Sequence, residues 1–168
     1  MSLFRSLQNS PATISIFHNG KLPASAKIYK LLDNAYFKLN DKKNKFQIDL
    51  MQDKMPTYDQ YVLLSQKFLK DKASKDTLKQ CYPLFSDRKT SGPDDVIIKG
   101  VQPSSGLKVF NEGEYSMIYD AFNTLITKDD ADIKAEDIFR PPLVVDWDQN
   151  LLANDEKGLN HILEKYQD

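Results

Sequence analysis

Residues 140–155, RPPLVVDWDQNLLAND, constrain the fold of this chain more than any other stretch. The run 143–145 has the apolar, β-branched composition of a strand. The polar triplet DQN that follows it has turn chemistry, and a second apolar pair comes shortly after. The segment therefore predicts a β-hairpin, with Pro141 and Pro142 standing immediately before its first strand.

Upstream of this hairpin, the hydrophobic pattern predicts strands and helices in alternation. Residues 13–17 and 46–50 have strand character, and a helical stripe over residues 28–36 lies between them. Ser25 is predicted to cap that helix, and Thr57 with Gln60 forms a capping-box pattern for the next one. The chain thus opens β-α-β-α, which favours parallel pairing of the first two strands with a right-handed crossover.

The middle of the chain is less regular. A short, weaker apolar patch covers residues 78–85, and residues 86–105 are predicted to form a long surface excursion. A clean helical stripe begins near Glu112, and an acidic stretch then leads to the hairpin. Asn154 or Asp155 is predicted to cap a closing helix. That helix is expected to bury Leu159, Ile162, Leu163 and Tyr166.

This element order is that of a thioredoxin-like domain: an α/β fold with a mixed β-sheet flanked by helices, here with an insertion of about residues 70–139 before the C-terminal hairpin. In that fold, a proline after a cis peptide bond commonly stands just ahead of the third strand. The cis form of an X-Pro bond costs only about 0.5–1 kcal/mol. Pro142 is the natural candidate, with Pro141 held extended before it. Backbone groups at such a bend are available to a bound peptide or thiol. The alternative is that the pair only ends the acidic linker and stiffens the start of the strand.

Length and charge limit the classes of partner. The 168 residues suffice for one domain, residues 1–168, whose core needs no disulfide or metal. The 23 basic and 24 acidic residues nearly cancel, so the global charge favours neither nucleic acid nor an anionic membrane, although a local basic patch is compatible with this balance. No apolar run approaches the ~20 residues that span a bilayer, which argues against an integral membrane segment.

The residue types do not predict a metal or a cofactor. There is one cysteine, Cys81, so an internal disulfide is excluded, and two histidines make a zinc site improbable. A group of acids before the hairpin lacks the spacing and the glycine of a calcium loop and is predicted to be a solvated linker. These acids are Asp129, Asp130, Asp132, Glu136 and Asp137. The sequence also contains no glycine-rich phosphate loop.

Three segments resemble a known family: RPPLVVDWDQNLLANDEKGLNHIL, SLFRSLQNSPATISIFHN and MPTYDQ. They are similar to a fungal family with a thioredoxin-like fold, to which a mitochondrial redox role is ascribed and which was long classed as a domain of unknown function. The resemblance covers both ends of the chain and the second helix. It implies a mitochondrial location and thiol-dependent reduction of small molecules. It also implies a single redox cysteine in the helix before the hairpin, at or near Phe122, where this chain has none.

The N-terminus agrees with that location, because residues 1–32 contain no acid and begin with an amphipathic, serine-containing turn. Such openings are typical of mitochondrial import signals. The alternative is a short N-terminal helix that packs on the domain.

A thioredoxin-type enzyme needs a cysteine at the N-terminus of the helix after its first strand, where the helix dipole lowers the thiol pKa from ~8.5 to 7 or below. The corresponding residues 18–25, HNGKLPAS, contain no cysteine, so CxxC chemistry is excluded. Cys81 remains the candidate catalytic residue, assisted by Lys79 or Arg88 and able to form a mixed disulfide with glutathione. The alternative is that Cys81 is a small buried hydrophobic residue, as free cysteines usually are.

Other chemical candidates are weaker. His18 with Asp33 or Asp49 suggests acid–base chemistry, but a satisfied or solvated histidine is the commoner case. His161 is predicted at the surface or at its boundary. Since alternate strand positions face the same way, Asp146 and Asp148 share one side of their strand. They are predicted to lie at the strand end, with Trp147 on the other side in the core.

Two functions remain open. The first is a mitochondrial thioredoxin-like redox protein that works through glutathione or a mixed disulfide at Cys81. The second is a non-catalytic thioredoxin-fold module that binds a protein or peptide through the strand after Pro141 and Pro142.

Overall fold

The structure is a computed structural model that describes residues 11–83, 109–128 and 133–167. Its elements in chain order are β1 (Ala12–His18), α1 (Pro23–Leu39), β2 (Phe46–Gln52), α2 (Tyr58–Lys67), α3 (Lys72–Cys81), α4 (Glu112–Leu125), α5 (Ala135–Ile138), β3 (Leu143–Asp146), β4 (Leu151–Ala153), α6 (Glu156–Leu163) and a 3-10 turn (Glu164–Tyr166). The mixed α/β class, the β-α-β opening, the hairpin and the closing helix are confirmed. The predicted surface excursion and N-terminal helix lie outside the described residues.

The chain divides into two compact units. The first contains Met1–Gln52 and Pro142–Asp168, and the second contains Asp53–Pro141.

The first unit is built on a four-stranded mixed sheet in the order β2-β1-β3-β4. β1 pairs parallel with β2 and antiparallel with β3, and β3 pairs antiparallel with β4. One face of this sheet packs with α1 and α6 in a hydrophobic core. The buried members of that core include Ile14, Ile16, Ile28, Leu32, Phe46, Val144, Leu159, Ile162, Leu163 and Tyr166. The face predicted for the closing helix is thus confirmed. Asp155 is the cap of α6, because its Oδ1 accepts from the backbone N of Gly158 at 2.8 Å.

Capping boxes define two helices of the second unit. Thr57 Oγ1 accepts from Gln60 N at 3.2 Å and Gln60 Oε1 accepts from Thr57 N at 3.0 Å, which confirms the predicted start of α2. Asn111 and Glu114 form the same reciprocal pair at the start of α4. The apolar pattern of residues 78–85 does not predict helix α3. Asp71 caps this helix, because its Oδ1 accepts from the backbone N of Ser74 at 2.8 Å.

An aromatic cluster fills the core of the second unit. It comprises Tyr58, Tyr61, Tyr82, Phe110, Tyr115, Phe122 and Phe139, whose neighbouring ring centroids lie 4.8–6.5 Å apart. The hydroxyls are paired inside it: Tyr115 Oη donates to Pro56 O at 2.6 Å and lies 2.9 Å from Tyr82 Oη, while Tyr61 Oη accepts from Phe110 N at 3.0 Å. The hydroxyls of Tyr61, Tyr82 and Tyr115 therefore each have a hydrogen-bond partner within the protein.

This cluster should make the second unit sensitive to alkali. Burial raises the pKa of Tyr61, Tyr82 and Tyr115 above 10.0, and raises that of Cys81 from 9.0 to about 12. Because each folded pKa lies above the unfolded one, the stabilisation is full below the unfolded pKa and is lost as pH rises through the folded pKa. We expect the free energy of unfolding to fall above about pH 9, by up to about 1.4 kcal/mol per pH unit for each group. Urea titrations at a series of alkaline pH values measure this slope. A Tyr115→Phe variant should show a shallower slope, and a slope of zero in the wild type would contradict the burial of these groups.

Candidate functional site

The turn from β1 into α1 contains a buried histidine–serine pair. His18 Nδ1 lies 2.7 Å from Ser25 Oγ, and Ser25 Oγ also accepts from the backbone N of Asn19 at 3.0 Å. Ser25 is completely buried and His18 is 7% exposed. The prediction that Ser25 caps α1 is wrong. The helix begins at Pro23 after Leu22, so Ser25 lies inside its first turn, and the N-cap residue Leu22 has no side-chain acceptor with which to cap it.

The imidazole of His18 is fixed on two sides. Its ring lies 4.8 Å from the ring of Tyr29, centroid to centroid, and Nδ1 faces Ser25. Its Nε2 lies next to exposed Gly20, 3.8 Å from the position that a Cβ on that residue would take. The predicted acid partner Asp49 instead accepts from Ser15 Oγ at 3.2 Å.

Pro142 stands next to the last pair of the β1–β3 ladder. β1 and β3 pair up to Phe17 opposite Leu143, so the residues beyond this pair are His18 on one chain segment and Pro142 on the other. His18, Asn19, Gly20, Ser25 and Pro142 together are called the β1-end site below. Pro142 and its neighbour Pro141 are both buried, and Pro141 is the last residue of the second unit.

Cys81 belongs to the second unit, at the C-terminal end of α3. Its side chain is 1% exposed, and burial raises the pKa of its thiol to about 12. The backbone carbonyl of Cys81 accepts from Arg140 N at 2.8 Å. A thiol in this environment is protonated at neutral pH, which favours the packing role over the nucleophilic one. Of the two cations predicted to assist it, Lys79 is on the same helix and Arg88 lies outside the described residues.

The position at which the resemblance implies a redox cysteine is taken by an aromatic side chain. Phe122 is buried in α4, and its ring lies 6.3 Å from that of Phe139. This position therefore contributes to packing in the second unit.

The strand predicted to bury Trp147 buries the neighbouring acid instead. Asp146 is completely buried, whereas Trp147 is half-buried and donates from Nε1 to Ser15 Oγ at 2.8 Å. The predicted alternation does not apply, because β3 ends at Asp146 and both Trp147 and Asp148 lie in the turn that follows. Asp148 accepts from the backbone N of Thr13 at 3.2 Å.

Four hydrogen bonds make the burial of Asp146 tolerable. Its Oδ1 accepts from the backbone N of Asp148 at 3.0 Å and of Gln149 at 3.1 Å. Its Oδ2 accepts from Gln149 Nε2 and from Tyr166 Oη, both at 2.6 Å. The pKa of Tyr166 is raised, mainly by burial and secondly by the hydrogen bond to Asp146. Asp146 therefore joins the hairpin turn to the C-terminal end of the chain, which is a structural role that the sequence did not reveal.

The remaining chemical candidates have structural roles where they are described. His161 is exposed, with Nδ1 3.6 Å from Glu164 Oε2, which confirms its surface position. Asp137 accepts from Lys134 N at 2.9 Å, while Asp129, Asp130 and Asp132 lie outside the described residues. Within residues 11–83, 109–128 and 133–167, no group of three or more acids, histidines or cysteines is placed to hold a metal ion. No helix in these ranges has the length and apolar character to cross a membrane.

Comparison with protein families identifies the family of this chain. Residues 4–155 match the family described as "Protein of unknown function (DUF1687)". The chain therefore belongs to this family. No curated protein and no solved structure matches it significantly.

Proposed function

We propose that this member of the DUF1687 family is a thioredoxin-like mitochondrial protein that binds an extended peptide at the β1-end site, with glutathione as the smallest such ligand. The observation that carries the proposal is the buried His18–Ser25 pair at the end of β1, directly after the last β1–β3 pair, Phe17 opposite Leu143. A mixed sheet in the order β2-β1-β3-β4, with a β-α-β unit before a hairpin, is the arrangement expected of a thioredoxin-like domain.

The chemistry of the site suits recognition of a peptide. Pro142 has no backbone N–H, so it cannot extend the β1–β3 ladder by donation, and the pairing between these strands ends beside it. An extended ligand at this end would bring main-chain donors and acceptors of its own. Exposed Gly20 leaves room for that ligand to approach His18.

Reduction of disulfides is a second candidate, favoured by the position of His18 Nε2 next to Gly20. The thiol would belong to the bound glutathione, since the site has no cysteine. The thiol would give its proton to solvent, and the thiolate beside His18 would attack a disulfide RSSR, forming GSSR and releasing RS⁻, which would take a proton from solvent. This route needs no contribution from Cys81. Mitochondrial location is supported by the acid-free residues 1–32.

Filling the space over Gly20 tests the proposal. A Gly20→Leu variant is expected to bind reduced glutathione about tenfold more weakly or worse, because the new side chain would occupy the approach to His18. Isothermal titration calorimetry measures the affinity. Gly20 is not in the left-handed backbone region, so the substitution should leave the fold intact.

A matched control is Gly113→Leu, at an exposed glycine in α4 of the second unit. It should bind glutathione as the wild type does. If the wild type binds neither glutathione nor extended peptides, or if Gly20→Leu binds as tightly as Gly113→Leu, the β1-end site is not the binding site.

Equal glutathione-dependent disulfide reduction by the wild type and by Cys81→Ser would support the second candidate, and loss of activity in Cys81→Ser would overturn it.

A further inference from the structure

The C-terminal end of α1 carries an exposed aromatic ring among lysines. Phe37 is 69% exposed, and Lys38, Lys42 and Lys43 beside it are exposed as well. Phe37, Lys38, Lys42, Lys43 and Lys45 are called the α1-end patch below. An apolar ring of this size in water gains free energy from any contact that covers it.

The lysines of this patch surround a cavity. It has a volume of about 180 Å³ and is lined by Lys38, Leu39, Asp41, Lys42, Lys43 and Lys45. Lys45 is fixed in place, because its Nζ donates to the backbone O of Tyr166 at 2.9 Å. Four cations and one carboxylate around a single cavity leave a local excess of positive charge, which an anionic group would relieve.

Elsewhere on α1 acids offset the lysines. Lys27 is paired with Glu156 at 3.5 Å, and Asp33 follows exposed Lys30 by one helical turn. The positive charge is therefore concentrated at the end of the helix that also carries Phe37. A compact cationic patch with one exposed apolar ring is typical of segments that bind anionic bilayers. In such segments the lysines contact headgroup phosphates, and the ring enters the acyl boundary.

From this arrangement we infer that the α1-end patch docks on a membrane surface that contains anionic phospholipids. The docking is peripheral: Lys42 and Lys43 contact the headgroups, the cavity receives a phosphate, and Phe37 inserts beside them. A nucleic acid also presents phosphates, but its phosphates lie on an extended backbone, whereas the patch combines one small open cavity with a single exposed phenyl ring. This inference does not depend on the β1-end site.

Co-sedimentation of the full chain with vesicles tests the inference. The wild type is expected to bind vesicles of phosphatidylcholine mixed with phosphatidylserine and not to bind vesicles of phosphatidylcholine alone. High salt should release the bound protein. The double variant Lys42→Ser/Lys43→Ser should bind about 25-fold more weakly, at about fivefold per lysine. A Phe37→Ser variant should lose about tenfold, because the ring no longer inserts.

Two matched controls separate the patch from general charge and hydrophobicity. Lys54→Ser/Lys67→Ser removes two exposed lysines elsewhere, and Val109→Ser removes an apolar side chain that is also 69% exposed. Both should bind as the wild type does. The inference is overturned if the wild type ignores phosphatidylserine, or if the patch variants bind no more weakly than these controls. It is also overturned if inorganic pyrophosphate or an RNA oligonucleotide binds the patch while the vesicles do not.

Discussion

Replacing Asp146 with alanine is expected to lower the free energy of unfolding of the first unit by about 3–5 kcal/mol. The carboxylate is completely buried and accepts four hydrogen bonds, from two backbone N–H groups, Gln149 Nε2 and Tyr166 Oη. Alanine leaves all four donors without this acceptor, and leaving a buried donor unsatisfied costs about 1–3 kcal/mol. Urea unfolding followed by circular dichroism measures the loss.

The loss of stability in Asp146→Ala should extend beyond the hairpin, because Gln149 Nε2 also donates to the backbone O of Ile162 in α6 at 2.9 Å. Tyr166→Phe removes a single donor and should cost about 1–2 kcal/mol. Asp41→Ala is the matched control: it removes an exposed acid from the same unit and should change stability by less than about 0.5 kcal/mol. If Asp146→Ala resembled Asp41→Ala, the carboxylate would not hold the hairpin to the C-terminal end.

The second large effect concerns the thiol of Cys81. At about pH 8, we expect iodoacetamide to alkylate it on the order of a thousandfold more slowly in the folded protein than in the urea-unfolded chain. Burial raises the thiol pKa from 9.0 to about 12, which lowers the thiolate fraction by that factor at this pH, and the 1% exposure of the side chain slows the reaction further. The rate is measured by mass spectrometry over a pH series.

A Cys81→Ser chain provides the background for that measurement. Fast labelling of the folded wild type, with a midpoint well below ~8.5, would mean an exposed and stabilised thiolate. The redox interpretation of Cys81 would then return, in place of the packing role.

Elements with a regular apolar period could be predicted from the sequence. β1, α1, β2, α2, α4, the hairpin and α6 each present a continuous apolar face, and two of the three caps assigned in the sequence, at Thr57 and Asp155, stand at their helix starts. Helix α3 was not predictable because Ala73, Leu78 and Cys81 are its only apolar residues, too few to form a recognisable stripe.

Side-chain roles that depend on distant partners were not predictable in the same way. Ser25 has the composition of a helix cap, but Pro23 starts the helix and the hydroxyl turns to His18. Asp146 looks solvated in the sequence, because nothing local shows that Tyr166 and Gln149 will surround it. The β1-end site likewise depends on the β1–β3 register, which no local pattern encodes.

The most direct test of the account is a backbone-amide NMR titration of the Cys81→Ser protein with reduced glutathione. We expect saturable shifts at residues 18–25 and at Leu143, the positions around His18 and Pro142. Such a result would show that the end of β1 binds the ligand without the only cysteine of the chain. Absence of shifts at these residues, or binding by the wild type that disappears in Cys81→Ser, would contradict the proposed function and return attention to the thiol.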